Sequence, residues 1–296
     1  MAMVYELGLN VDALTAIDTH VHIEVGDDGH NALPQPLVDA ASKYFKTDAP
    51  RPGLDEIAAM YRERAMAAVV FTVDASRSLN HRPNSSEEIA VGAARNNDVL
   101  IPFGSVDPTR GADAVTQAQR LAGDFGVRGF KFHPTVQNFN PSDEQFYPLW
   151  AALQDLRLPA LFHTGQTGIG SGLPGGFGLK LGLSNPMLLD NVAADFPALP
   201  IIMAHPSVPW QDEALAVATH KQNVYIDLSG WSPKYFPENL VRQANSFLQD
   251  KVLFGSDFPL ISPDRWLKDF ADLNLKDAVR PKILKDNAVR LLKLAS

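Results

Sequence analysis

Short apolar runs rich in Val, Ile and Phe alternate along the chain with stretches whose apolar residues recur at helical spacing. The runs are AIDTHVH (16–22), AAVVFTVD (67–74), LIPFGSVD (100–107), VRGFKFH (127–133), PALFHT (159–164), PIIMAH (200–205), NVYIDLS (223–229) and KVLFGSD (251–257). Between them lie LDEIAAMYRERA, SSEEIAVGAARNN, ADAVTQAQRLAGDF, DEQFYPLWAALQDL, NPMLLDNVAADF, QDEALAVATHK and PENLVRQANSFLQD. Strands that alternate with helices predict a parallel sheet covered by its crossovers. Eight such units predict an α/β protein with a (β/α)8 TIM barrel and a C-terminal helix, a single domain over residues 1–296. An open doubly wound sheet ranks second, because no strand leads into a GxGxxG or GxxxxGK[ST] turn.

Two segments break the rhythm. Residues 24–53 are rich in Pro, Gly and Asp and read as an insertion after the first strand, expected to fold over the barrel mouth as a lid. A second long loop, QTGIGSGLPGGFGLKLGLS, follows the fifth strand. Both leave the C-terminal ends of strands, where barrel enzymes build their sites.

Composition narrows the chemistry. With 34 acidic residues against 26 basic ones, a net charge of −8 argues against nucleic acid as a partner. The absence of cysteine removes disulfides, thiolate catalysis and Cys-ligated metals, so any metal must use His, Asp, Glu or Lys. No apolar run approaches the roughly 20 residues of a membrane helix, and MAMVYELGLN lacks the cationic start of a secretory signal. The expectation is a cytoplasmic protein with no membrane partner.

His20 and His22 sit two apart on a strand and share a face, which makes either a metal half-site or a hydrogen-bonded pair. His133, His163 and His205 also end strands, in FKFHP, LFHTG and MAHPS, and Asp257 ends the last one in FGSDFP. At a barrel mouth these ends converge, so His20, His22, His163 and Asp257 would offer three imidazoles and a carboxylate with one position open. Asp18 shares the parity of the His20–His22 pair and is expected one layer deeper, as a satisfied buried carboxylate or an orienter of a ligand. Asp74 and Asp107 are explained by capping of the loops that follow them. Trp231, Lys234 and Tyr235, in DLSGWSPKYFP, make either a substrate wall or ordinary loop packing, with packing the weightier reading.

The segments IDTHVH, HTG, AHP and GSDFP together resemble the amidohydrolase superfamily, in its amidohydrolase-related branch. The resemblance covers about residues 16 to 294. It implies a barrel with one divalent ion, zinc first and manganese as the alternative, held by His20, His22, His163 and Asp257. It also implies catalytic roles for Asp257 and His205, His205 polarising substrate or water, and a dimer or larger homo-oligomer. In dinuclear members a lysine ending the fourth strand is carbamylated, and Lys131 stands near that position. Lys131 can be carbamylated, pair with a substrate carboxylate or form a structural ion pair; a cationic Lys131 binding an anionic substrate is preferred. His133 has substrate-binding and structural readings of equal weight.

Two reactions fit such a site. If water takes the open position, Asp257 accepts its proton and a carbonyl is hydrolysed; if a substrate carboxylate chelates the ion, CO2 leaves and Asp257 delivers a proton to carbon. The wording around SNPMLLDNVAADF and NVYIDLSGWSPKYFP is similar to hydrolases of aromatic β-ketoacyl-CoA thioesters, which tilts the expectation to a metal-dependent hydrolase of a small carboxylated or aromatic substrate. Non-oxidative decarboxylation is the alternative, and a metal-binding barrel without catalysis is a third.

Overall fold

A computed structural model of the protein describes residues 3–46 and 51–294. Its strands are β1 (Ala16–His22), β2 (Met66–Phe71), β3 (Leu100–Pro102), β4 (Phe130–Phe132), β5 (Ala160–His163), β6 (Ile201–Ala204), β7 (Val224–Asp227) and β8 (Val252–Leu253). β1–β3 and β4–β8 form two parallel arrays in chain order. Backbone bonds join the arrays at both seams. Lys131 N donates to Gly104 O (2.8 Å) between β4 and β3, and His22 N to Phe258 O (2.8 Å) across the β1–β8 seam. The sheet is thereby closed into a (β/α)8 TIM barrel.

Apart from β1, the ladders are shorter than the apolar runs, because the loops leaving the strands are themselves buried and held by side chains. Asp107, for example, accepts from Thr109 N (2.9 Å) and Asp74 from Ser76 N (3.1 Å), the capping expected of both. The seven helical stretches all contain a helix; Ala112–Phe125 matches its stretch end to end, and DEQFYPLWAALQDL begins with a 3-10 turn before Tyr147–Leu156. The insertion carries a helix the sequence reading did not find, Gln35–Phe45, which buries Leu37, Ala40 and Ala41. Flanking Pro and Gly masked its short apolar stripe, and residues 47–50 of the insertion lie outside the described residues. No helix among the described residues is long and apolar enough to cross a membrane.

Alternation sorts the core into two layers. Ala67, Val69 and Phe71 of β2 join Ile17, Ile101, Leu161, Ile202 and Leu253 inside the barrel, while Met66, Ala68 and Val70 face Leu54, Ile57 and Tyr61 in the helical layer. Ala288, Leu291 and Leu292 of the C-terminal helix Asn287–Leu292 belong to the inner cluster and close its floor.

β1 departs from simple alternation. Asp18 pairs with Ala68 and Val21 with Val70, three steps along β1 against two along β2. One extra residue reverses the parity. Ile17 points inward, yet Val21 joins the helical layer and His20 and His22 face the barrel axis. The expectation that Asp18 points inward with the two histidines is therefore corrected. Its carboxylate lies under the β1–β8 seam and accepts from Ser256 N (2.9 Å), His20 N (3.1 Å) and Tyr61 Oη (2.6 Å). Burial raises its pKa to about 6 against the pull of these donors.

Tyr61→Phe should therefore cost about 1–3 kcal/mol, the penalty for a buried acceptor left without its donor. Urea unfolding measures it, and a loss below about 0.5 kcal/mol, ordinary for a neutral surface change, would remove Asp18 from its central place.

Candidate metal centre

The strand ends bring Lys131, His163 and Asp227 to the barrel axis from β4, β5 and β7, beside His20 and His22. His20 Nδ1 lies 2.9 Å from Asp227 Oδ2, so the carboxylate accepts a hydrogen bond from Nδ1–H and the Nε2 lone pair faces inward. Around that nitrogen stand His22 Nε2 at 3.2 Å, Asp257 Oδ1 at 3.3 Å and Lys131 Nζ at 3.1 Å. His22 Nε2 is also 3.2 Å from Asp257 Oδ1.

His205 follows β6. Its Nδ1 is 2.9 Å from Ser229 Oγ and its Nε2 is 2.9 Å from His163 Nδ1; Ser229 in turn donates to Asp227 Oδ1. One proton assignment satisfies the whole chain. His163 Nδ1–H donates to His205 Nε2, His205 Nδ1–H to Ser229, and Ser229 to Asp227. That leaves His163 Nε2, a buried atom without a partner, with a free lone pair. His163 also stacks on His133, their rings 3.8 Å apart and 10° from parallel.

Ligand atoms of His20, His205 and Asp257 all lie within 4.8 Å of one another, and His20 Nε2, His22 Nε2 and Asp257 Oδ1 are mutually 3.2–3.3 Å apart. His163 Nε2 is the nitrogen left without a partner; both His205 nitrogens are engaged, and His20 Nε2 faces Lys131 Nζ at 3.1 Å, a contact that a bound ion would displace. The polarising role expected of His205 would require its Nε2 to be released from His163.

Burial lowers the pKa values of His20, His163, His133 and His205, so these rings are neutral at pH 7, the form in which imidazole binds metal. Burial alone would raise Asp257, but the hydrogen bond with His22 and the fields of His20 and His205 hold it well below the ordinary carboxylate range. Neutral imidazoles beside an ionised carboxylate are the donor set of a divalent ion.

These groups floor a cavity of about 270 Å³ lined by His22, His133, His163, His205 and Asp257 below and by Ile23, Phe45, Val73, Trp231 and Leu260 above. Trp231 stands on the wall and Tyr235 at the rim, 61% exposed, with Lys234 Nζ 5.0 Å over its ring. Phe45 comes from the insertion and packs on the loop after β5, where a Cβ at Gly168 would lie 2.6 Å from its ring. Lys131 is not on the wall. It is fully buried, against His20 and over the Phe71 ring at 5.0 Å, and does not line the cavity. Burial lowers its pKa to about 8, against the fields of Asp227 and Asp257, which makes the neutral amine accessible when an ion competes for His20.

Three contributors escaped sequence reasoning: Asp227, Ser229 and Gly230. Asp227 ends a strand as Asp74 and Asp107 do, and the inward parity of alternate β7 residues was the available signal. Gly230 holds φ +73°, and a Cβ there would fall 2.5 Å from His205 Nδ1. His205 and Asp257 are themselves left-handed, at φ 73° and 69°, a strained backbone that aims each side chain inward.

The amidohydrolase family model matches residues 17–294. No curated protein sequence matches the chain. Among solved structures, an uncharacterized TIM-barrel protein from Bordetella bronchiseptica superposes with TM-score 0.78 at 24% identity, covering 94% of this chain and 98% of that one. Dihydroxybenzoic acid decarboxylase from a Polaromonas species, with bound manganese and 2-nitroresorcinol, gives TM-score 0.65 at 19% identity over 95% and 97% of the two chains. 5-Carboxyvanillate decarboxylase from Novosphingobium aromaticivorans, also with manganese, gives 0.67 at 15% over 97% and 100%. At these identities the likeness establishes the fold.

Asp227→Asn keeps the shape but weakens the acceptor for His20 Nδ1–H. Divalent-ion affinity, measured by competition with a chromogenic chelator, should fall about 10–100-fold; unchanged affinity would make Asp227 a purely structural group.

Proposed function

Because the chain belongs to the amidohydrolase family, we propose that it is a metal-dependent hydrolase that cleaves a carbonyl bond in a small carboxylated or aromatic substrate. The observation that carries this reading is the placement of Asp257, on the cavity floor and 3.2–3.3 Å from the facing nitrogens of His22 and His20. A carboxylate open to the cavity and beside both imidazoles is placed to take a proton from water and to give it up again.

His20, His22, His163 and Asp257 would hold one divalent ion, and a histidine-rich set favours zinc, with manganese the alternative. Such an ion, when bound, supplies Lewis acidity that activates water and polarises a carbonyl. The chain's own residues do the rest. Asp257 takes the proton of the attacking water and returns it to the leaving group. Asp227 fixes the tautomer of His20, and Ser229 with His205 fixes that of His163. Trp231, Phe45 and Leu260 keep bulk water from the reacting carbonyl and offer a flat apolar surface to a ring.

A second reading is non-oxidative decarboxylation of an aromatic acid. It is favoured by the two manganese-containing neighbours, which are decarboxylases of such acids, and by the same aromatic wall.

The test begins with elemental analysis of the purified protein. About one equivalent of zinc or manganese is expected, lost in His20→Ala and Asp257→Ala. Metal-loaded protein is then offered esters, lactones, amides and β-keto compounds in a pH-stat, and 2,6-dihydroxybenzoate with CO2 detection. Hydrolysis abolished by chelator and restored by metal supports the proposal. CO2 release without hydrolysis would replace it with the second reading, and full activity without metal would sink both.

A further inference from the structure

With Lys131 buried away from the lining, the cavity wall has one Lys or Arg side chain among the described residues. It is Arg265, in the first turn of the helix Pro263–Ala271, exposed to solvent and lining the cavity at its rim. Its acidic neighbours on that helix are engaged elsewhere. Asp264 holds Arg64 through two bonds of 2.8 and 2.6 Å, and Asp269 accepts from Ser232. Among the described residues no carboxylate lies within ion-pair distance of Arg265.

The other charges of the wall are accounted for. Glu24 is tied to Arg51 at 2.6 Å, and Asp257 belongs to the floor. In a chain of net charge −8 the cavity therefore has an unneutralised positive rim. A guanidinium presents a planar fork that matches a carboxylate or another oxyanion. The rest of the lining includes the apolar Trp231, Leu260 and Ile261 beside the polar Thr72, Gln166, Thr167 and Ser232. The site thus joins charged groups at floor and rim to an aromatic and aliphatic surface on its wall.

We propose that the substrate carries a second anionic group at the end remote from the metal centre, and that Arg265 selects for it. The inference rests on the reading of this cavity as the active site, and it narrows the substrate class to dianions with a flat or apolar middle. Arg265 is a specificity residue here and takes no part in bond cleavage.

The test is equilibrium binding, read by calorimetry on metal-loaded protein, so it does not depend on knowing the reaction. The probes are benzoate, benzene-1,4-dicarboxylate and 4-carboxycinnamate, which share a ring and differ in the presence and reach of a second carboxylate. At least one dicarboxylate should bind about tenfold or more tightly than benzoate, as expected for an added charge-assisted bond. Arg265→Gln should erase that preference without changing benzoate affinity, and Arg265→Lys should keep part of it. Equal affinities in the native protein, a preference that survives Arg265→Gln, or no binding of any probe would each overturn the proposal. Metal content measured on the same samples separates these results from a failed metal centre. A metal-loaded protein that hydrolyses nothing yet keeps the Arg265-dependent preference would refute the proposed reaction and leave this inference standing.

Discussion

A closed barrel has one seam where its first and last strands must meet, and here a single buried carboxylate ties that seam beside its backbone bonds. Asp18 draws together the backbone of β1 at His20, the backbone after β8 at Ser256, and the Tyr61 hydroxyl from the helix Leu54–Glu63. A carboxylate with no exposed surface is tolerable only because each of these donors is present. The same seam carries His20 and His22 on one side and Asp257 on the other. Asp257 N donates to His20 O at 3.0 Å, so the alignment of the seam is also the alignment of the candidate site. The extra residue in β1 adds to this dependence, since it turns Asp18 toward the helices and both histidines toward the axis.

Above the seam a second carboxylate sets the orientation of the imidazoles. Asp227 reaches His20 directly and His163 through Ser229 and His205. Both rings are thus wired to one anion. In a low-dielectric interior such chains are worth more than isolated bonds, and each broken link leaves a polar atom with no water to turn to. The left-handed backbone at His205 and Asp257, and the close approach that requires glycine at 230, are the local strains this arrangement imposes.

Much of this was legible in the chain. Period-2 runs marked the strands, and His20, His22, His163, His205 and Asp257 stood at their ends, where a barrel gathers distant residues. What could not be read was orientation. Strand parity is a local rule, and one added residue between Asp18 and Val21 reversed it, which no composition signal announces. Lys131 lies on an inward face, but whether an inward side chain reaches the cavity or lies beneath it depends on the heights of neighbouring strands. Asp227 and Ser229 were overlooked because residues that touch other residues, not the cavity, carry no motif of their own. Arg265 lies beyond the last strand, on a helix whose first turn reaches the rim only in three dimensions.

The C-terminal helix Asn287–Leu292 has a consequence out of proportion to its size. Its Leu291 and Leu292 stop the lower end of the barrel and complete the apolar cluster beneath the imidazoles. The polar groups of the site therefore stand over an apolar floor that this helix helps to build, and a polar side chain at Leu292 would put an unsatisfied group among Ile17, Leu161 and Leu253.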